Sequence, residues 1–290
     1  MKRFDYLAPH TLSEALEMLR QRPEAKPLAG GTDILVQMKE QHRGVTALLS
    51  LKRIPELHRL DQNGMLTIGS AVTMRKLSND PVVREKYAAL ALSAGLIGSV
   101  QIRTVATLGG NLCNASPSAD TAPPLLALGA EAVIAGPGGE RVLPLEEFFL
   151  GPGKTALQAG ELLSAVRLPK WPEWSGSFYL RHTPRAWMDL AFAGAAAAVT
   201  IGDTGELVHV RIALGAVSPT PIRALNAEEI LTGKIPDDRL LTTAGETAAA
   251  EARPIDDLRA SAEYRRHLVN VLTQRALRQA ILLAKGNHEP

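Results

Sequence analysis

The sequence predicts an α+β fold assembled from successive blocks. Three observations carry that prediction. A strand–helix–strand pattern fills roughly the first 55 residues, turn and hairpin signals punctuate the middle, and beyond residue 173 three strand candidates give way to three helical stretches. These set the expected parts: 1–55, 56–172 and 173–290.

The first helix is marked by Thr11 and Glu14 in capping-box spacing, with Leu12, Ala15, Leu16 and Leu19 on one face and Pro23 beyond its end. A strand over 26–29 runs into Gly30-Gly31-Thr32-Asp33. Ile34, Leu35 and Met38 then suit a short helix, and 46–51 a further strand. Asn63-Gly64 is a hairpin signal before a strand at 66–69. Helices are expected at 73–77 and 81–98, a loop-rich stretch at 101–114, and a helix at 121–128 stopped by Gly129. Strands follow at 131–135 and 161–168, with the turn Gly136-Pro137-Gly138-Gly139 after the first. The segment 169–174, with two prolines and two tryptophans, reads as a linker.

Strands are expected next at 177–182, 188–201 and 206–217, the last two joined through Gly202-Asp203-Thr204-Gly205. Helices are expected at 223–231, 237–252 and 261–285. That order predicts a three-stranded antiparallel sheet with helices on one face.

Composition narrows the function. The chain has 290 residues, 46% of them hydrophobic, and 32 basic against 30 acidic groups give a net charge of +2. This suits a packed protein and gives no electrostatic footprint for nucleic acid. One cysteine, Cys113, excludes a disulfide framework and any zinc or iron–sulfur site held by this chain alone. The seven histidines are scattered without ligand spacing, so no metal site is expected. The opening MKRFDYLAPH lacks the apolar core of a secretory leader, and 190–199, the longest apolar run, is too short to span a bilayer. A cytoplasmic protein without a transmembrane segment is expected.

Two glycine elements stand out. Leu28-Ala29-Gly30-Gly31-Thr32-Asp33 sits between a strand and a helix, where glycines allow positive φ and close backbone approach. Successive free amides there form a nest for a phosphate; a tight turn with a helix cap is the plainer alternative. Thr107-Leu108-Gly109-Gly110-Asn111 is the second, followed by Asn114, Ser116, Ser118 and Asp120. Such a cluster suits phosphate and ribose, with Asp120 accepting from sugar hydroxyls; a polar loop capping the next helix is the alternative. Two such elements could share one pyrophosphate from opposite sides. Cys113 reads as a small buried hydrophobe. The tryptophans at 171, 174 and 187 read as packing, and Tyr264 with Arg265 as an anchor for the last helix.

These residues carry a resemblance. KPLAGGTDILVQMK at 26–39, QIRTVATLGGNLCNASPSADTAPPLLALGAEAVI at 101–134 and EEFFLGPGKTALQAGELLSAVRLP at 146–169 resemble the FAD-binding medium subunit of the molybdenum hydroxylases. That family includes xanthine dehydrogenase and aerobic carbon monoxide dehydrogenase. YLRHTPRAWMDLAFAGAAAAV at 179–199, VRIALGAVSPTPIRA at 210–224 and IDDLRASAEYRRHLVNVLTQRAL at 255–277 extend the match over nearly the whole chain.

The resemblance implies a vanillyl-alcohol-oxidase type FAD-binding domain of two subdomains plus a C-terminal α+β domain. It places FAD against Leu28, Ala29, Gly30, Gly31, Thr32, Asp33 and Ile34. Thr107, Gly109, Gly110 and Asn111 lie on the other side of the pyrophosphate, Ile102 and Ala106 lead into that element, and Ser116 and Asp120 reach the ribose and adenosine end. The segment around Arg181, Arg185, Asp189 and Leu190 approaches the flavin in the family. It implies no catalytic acid or base in this chain. It implies electrons arriving from the [2Fe–2S] clusters of a small subunit, a large molybdopterin subunit that oxidises substrate, an external electron acceptor, and a dimer of heterotrimers. The rival readings are an autonomous FAD enzyme of the enolpyruvyl-reductase kind and an interaction subunit that has lost FAD.

Overall fold

A computed structural model describes residues 3–40, 44–185 and 188–286. The chain begins with β1 (Asp5–Leu7), too short for periodicity to announce. It continues through α1 (Leu12–Gln21), β2 (Lys26–Leu28), α2 (Ile34–Lys39) and β3 (Ala47–Ser50). Thr11 caps α1 by accepting from the Glu14 amide at 3.1 Å, and the Glu14 carboxylate accepts from the His10 amide at 2.7 Å. The strands pair in parallel in the order β1-β3-β2. Every residue of β3 is buried: Ala47 and Leu49 join the core with Ala15 and Leu19 of α1, and Leu48 joins Met38 of α2. A parallel strand covered on both faces is expected to be apolar throughout.

β4 (Leu60–Asn63) and β5 (Met65–Gly69) form the Asn63-Gly64 hairpin. Next come α3 (Met74–Asn79), α4 (Pro81–Lys86), α5 (Ala88–Leu96), α6 (Val100–Val105), α7 (Leu108–Asn114) and α8 (Ala122–Ala127). The single helix expected over 81–98 is two, because Tyr87 leaves helical geometry at φ −131° and ψ 47°.

The stretch 101–114, expected to be loop-rich, is helical. Its glycines are poor helix formers, but the first turn of α7 is satisfied from outside. The Leu108 and Gly109 amides donate to Val72 O at 3.0 Å and Ser70 O at 2.8 Å. The Thr107 hydroxyl accepts from the Gly110 amide at 3.1 Å.

β6 (Glu131–Gly136), β7 (Gly139–Pro144), β8 (Phe149–Gly151), β9 (Lys154–Thr155) and β10 (Leu162–Leu168) follow. Among the described residues, an antiparallel sheet runs β4-β5-β10-β6-β7, and β8 pairs with β9.

The remainder comprises β11 (Ser175–His182), β12 (Ala193–Ile201), β13 (Leu207–Gly215), β14 (Ile222–Arg223), α9 (Leu225–Leu231), α10 (Asp238–Glu251) and α11 (Ala262–Gly286). Among the described residues the antiparallel sheet β11-β12-β13-β14 has four strands, not three. Ala216 adopts a left-handed φ of 63°, and the chain then returns to place Ile222 beside Leu214 and Arg223 beside Ala213.

Contacts divide the chain into two compact units. The first holds residues 1–76, 100–115 and 130–169; the second holds 77–99, 116–129 and 170–290. In the second unit, helices cover both faces of the sheet rather than one. All nine residues of β12 are buried. Ala193, Ala195, Ala197 and Val199 pack with α9, α10 and α11. On the opposite face, Arg211 pairs in register with Ala198 and donates to Leu126 O of α8 at 3.1–3.2 Å. Small residues permit this close layering: a Cβ on Gly176 would lie 2.2 Å from Ala280 O of α11.

Arg265 anchors α11, as expected, through Phe192 O at 2.9 Å, Ala216 O at 3.2 Å and Asp257 at 2.8 Å. Trp171 donates to Leu128 O at 3.1 Å, whereas Trp174 is 45% exposed. Trp187 lies outside the described residues, as do His42 and His288.

Candidate functional site

The first glycine element begins where β2 ends. Leu28 is buried in the core, and its carbonyl accepts from the Leu51 amide at 2.9 Å. Gly31 adopts φ 81°, which only glycine reaches without strain. Gly30 faces the end of α6 so closely that a Cβ would lie 2.2 Å from Val105 O. The amides of Gly30, Gly31, Thr32 and Asp33 have no acceptor among the described residues. Beyond them α2 starts, with Leu35 N donating to Gly31 O at 3.2 Å, and Ile34 packs beside the small core around Leu28 and Met38. The Asp33 carboxylate accepts from Asn114 at 3.2 Å and from Thr32 at 3.3 Å.

The second element lies beside the first. A Cβ on Gly110 would sit 3.8 Å from the Ala29 Cβ and 3.0 Å from Thr107 Oγ1. One on Gly109 would sit 2.5 Å from the Ser70 Cβ. The amides of Leu108, Gly109 and Gly110 all have acceptors within the protein. The two elements therefore differ: the 30–33 turn offers free donors, and the 107–111 element offers a smooth backbone surface with its amides from 108 to 111 spent. Ala106 is buried, with Ile102 half-buried one turn before it. Ser70 Oγ is buried without a partner among the described residues.

A cavity of about 240 Å³ opens in this same unit, lined by Ala29, Ala71, Thr73, Val105, Thr107 and Thr104 together with Lys52 and His58. Lys52 and His58 escaped the sequence reading. The available signal was position: Lys52 lies just past the carboxyl end of β3, next to the carboxyl end of β2, where ligands of parallel sheets collect.

Ser116 and Asp120 belong to the second unit. Ser116 is half-buried, and its hydroxyl accepts from the Ser118 amide at 3.3 Å. Asp120 is 5% exposed; its Oδ1 accepts from the Tyr179 hydroxyl at 2.8 Å and its Oδ2 from the Arg181 guanidinium. Tyr179 and Arg181 sit two apart on β11 and so share a face. Gly194 on β12 leaves room for the tyrosine, since a Cβ there would meet its hydroxyl at 2.6 Å. Arg181 also donates to Leu96 O at 3.1 Å. Burial pushes the Asp120 carboxyl up, against the pull of Arg181 and Tyr179. Burial, then the neighbouring carboxylate, hold the Tyr179 hydroxyl well above its ordinary range. Arg185 pairs with Asp189 at 3.0 Å, and Leu190 is 46% exposed.

Cys113, expected to be buried, is exposed on α7. Among the described residues no group of His, Cys, Asp and Glu is placed to hold a metal, and no helix is long and apolar enough to cross a membrane.

Four unpaired backbone donors, glycines that bring two chain segments into contact and an adjoining cavity fit the pyrophosphate of a dinucleotide. Comparison with known proteins agrees. Residues 2–171 match the family model of the FAD binding domain in molybdopterin dehydrogenase, and residues 178–280 match that of the CO dehydrogenase flavoprotein C-terminal domain. The chain belongs to this flavoprotein family of molybdenum-dependent dehydrogenases and is an oxidoreductase subunit with an FAD-binding domain.

Among its relatives, the xanthine dehydrogenase FAD-binding subunit of Escherichia coli O157:H7 is 36% identical over 98% of this chain and 99% of its own. The carbon monoxide dehydrogenase medium chain of Hydrogenophaga pseudoflava is 34% identical over 96% and 97%. The solved carbon monoxide dehydrogenase of Hydrogenophaga pseudoflava superposes with a TM-score of 0.93 at 33% identity, covering 97% of this chain and 98% of that one. Quinoline 2-oxidoreductase of Pseudomonas putida 86 superposes at 0.90, with 31% identity over 99% and 98%.

Proposed function

We propose that this chain carries FAD as the electron-transfer subunit of a heteromeric molybdenum hydroxylase. On this reading it takes electrons from the iron–sulfur clusters of a small subunit and delivers them to an external acceptor. The large molybdopterin subunit oxidises the substrate, and the cytoplasmic assembly is a dimer of heterotrimers. The observation that carries the reading is the row of unpaired amides from Gly30 to Asp33, set against the Gly109-Gly110 turn in a chain of this family.

Each residue has its part. The amides of Gly30, Gly31, Thr32 and Asp33 would donate to the pyrophosphate, with Leu28, Ala29 and Ile34 holding the turn in place. Thr107, Gly109, Gly110 and Asn111 would bound it on the other side, mainly by allowing close approach, because the backbone donors at 108–110 are already committed. Ile102 and Ala106 would border the bound group. Ser116 and Asp120 would reach its ribose and adenosine end; each Asp120 oxygen accepts one hydrogen bond within the protein and keeps a further lone pair. The bound FAD supplies the chemistry, accepting electrons one at a time or in pairs. The protein contributes position and charge, so no catalytic acid or base is assigned. Parts 1–55, 56–172 and 173–290 would act as two flavin-binding subdomains and a C-terminal domain.

The test is purification of this chain, tagged, from its own cells. Molybdenum, iron and flavin should co-elute with it in one assembly. Isolation of a flavin-bearing chain free of both metals that itself oxidises NADPH with an enolpyruvyl sugar nucleotide would replace the subunit reading with that of an autonomous reductase.

A further inference from the structure

A dinucleotide pyrophosphate carries two negative charges, and the turn proposed to hold it adds a third in the exposed carboxylate of Asp33. Backbone amides supply dipoles rather than charge, so this arrangement calls for a cation. Lys52 is placed to be one. It lines the same cavity as Ala29 and Thr107.

Its backbone position is well fixed. The preceding residue, Leu51, donates its amide to Leu28 O at 2.9 Å, which sets the end of β3 beside the start of the 29–33 turn. The carbonyl of Lys52 itself meets His58 Nε2 at 3.0 Å. The nearby Lys76 ammonium is already engaged by His58 O at 3.1 Å, whereas the Lys52 ammonium is paired with no carboxylate among the described residues.

We infer that Lys52 is a cofactor-binding residue that places its ammonium against the pyrophosphate of the bound dinucleotide. The inference rests on the flavin reading proposed for this chain. It divides the labour at the site: the amides at 30–33 orient the phosphates, the glycines at 109–110 allow close approach, and Lys52 neutralises charge. An exposed ammonium facing a phosphate acts through a screened interaction, so its effect must fall as salt rises.

The experiment titrates FAD into the flavin-free full chain across a series of salt concentrations, comparing the wild type with Lys52→Gln, Lys52→Arg and Lys52→Glu. At low salt Lys52→Gln should bind FAD about fivefold more weakly, with a shallower salt dependence. Lys52→Arg should stay near the wild type, and Lys52→Glu should fall below Lys52→Gln. If Lys52→Gln keeps the wild-type affinity, or loses affinity with an unchanged salt dependence, Lys52 does not face the pyrophosphate. A wild-type chain that takes up no FAD overturns the flavin reading itself, and this inference with it.

Discussion

Asp120 is a side chain whose surroundings the sequence concealed. SPSAD offers a carboxylate to a sugar, and the same carboxylate is buried between Tyr179 and Arg181. The two partners lie about sixty residues downstream, and only the path of β11 brings them there. A buried ion pair is costly to break on one side, because the remaining charge loses its compensation. Arg181→Met should therefore destabilise the chain by about 3–5 kcal/mol in urea unfolding. Tyr179→Phe, which removes one hydrogen bond and leaves the ion pair, should cost about 1 kcal/mol. Equal losses from the two would mean that the guanidinium contributes no more than the hydroxyl.

At the scale of elements, the sequence announced what local chemistry decides. Thr11 and Glu14 marked the start of α1, Asn63-Gly64 marked a hairpin, and Gly129 marked the end of α8. It misread what tertiary partners decide. Residues 101–114 look like loop because two adjacent glycines and several polar residues disfavour helix, yet Ser70 and Val72 accept the first amides of α7 and hold it helical. The positions of the two glycine elements were legible. Their unlike roles were not, because a sequence does not reveal which amides are already spent.

Close layering gives a test at this scale. Gly176→Ala would place a methyl 2.2 Å from the backbone of α11 and should cost about 1–3 kcal/mol, read as a lowered Tm. A second test concerns Glu161, the residue just before β10. Its carboxylate accepts from Arg141 at 2.7–2.8 Å and from the Gln158 amide at 2.7 Å. The Arg141 hydrogen bond is the main cause holding it below the usual carboxylate range. Its folded pKa is thus lower than its unfolded one, near 4.3. The stabilisation is fully present above that value and is lost as pH falls through the folded pKa. Glu161→Gln should therefore flatten the acid limb of the stability curve below about pH 4.3. An unchanged acid limb would show that this pair does not contribute to it.

At the scale of the whole molecule, the order of strands and helices predicted the α+β class but not the allocation of segments. Residues 77–99 and 116–129 pack with the C-terminal stretch, and they cover the second face of a sheet expected to have one face open. The clue was the run from Ala193 to Ile201, which lacks the alternation of a half-exposed strand. The single cysteine and scattered histidines acquire a sense from the family: on the proposed reading, metals belong to partner subunits and this chain holds a flavin.

That claim is tested most directly by the visible absorption spectrum and the FAD content of the purified full chain, beside those of Gly110→Asp. The wild type should carry or take up one FAD per chain. The variant, with a carboxylate forced between Thr107 and Ala29, should retain almost none while keeping its fold by circular dichroism. A colourless wild-type chain that takes up no added FAD would contradict the account, and undiminished flavin in Gly110→Asp would remove the pyrophosphate from this turn.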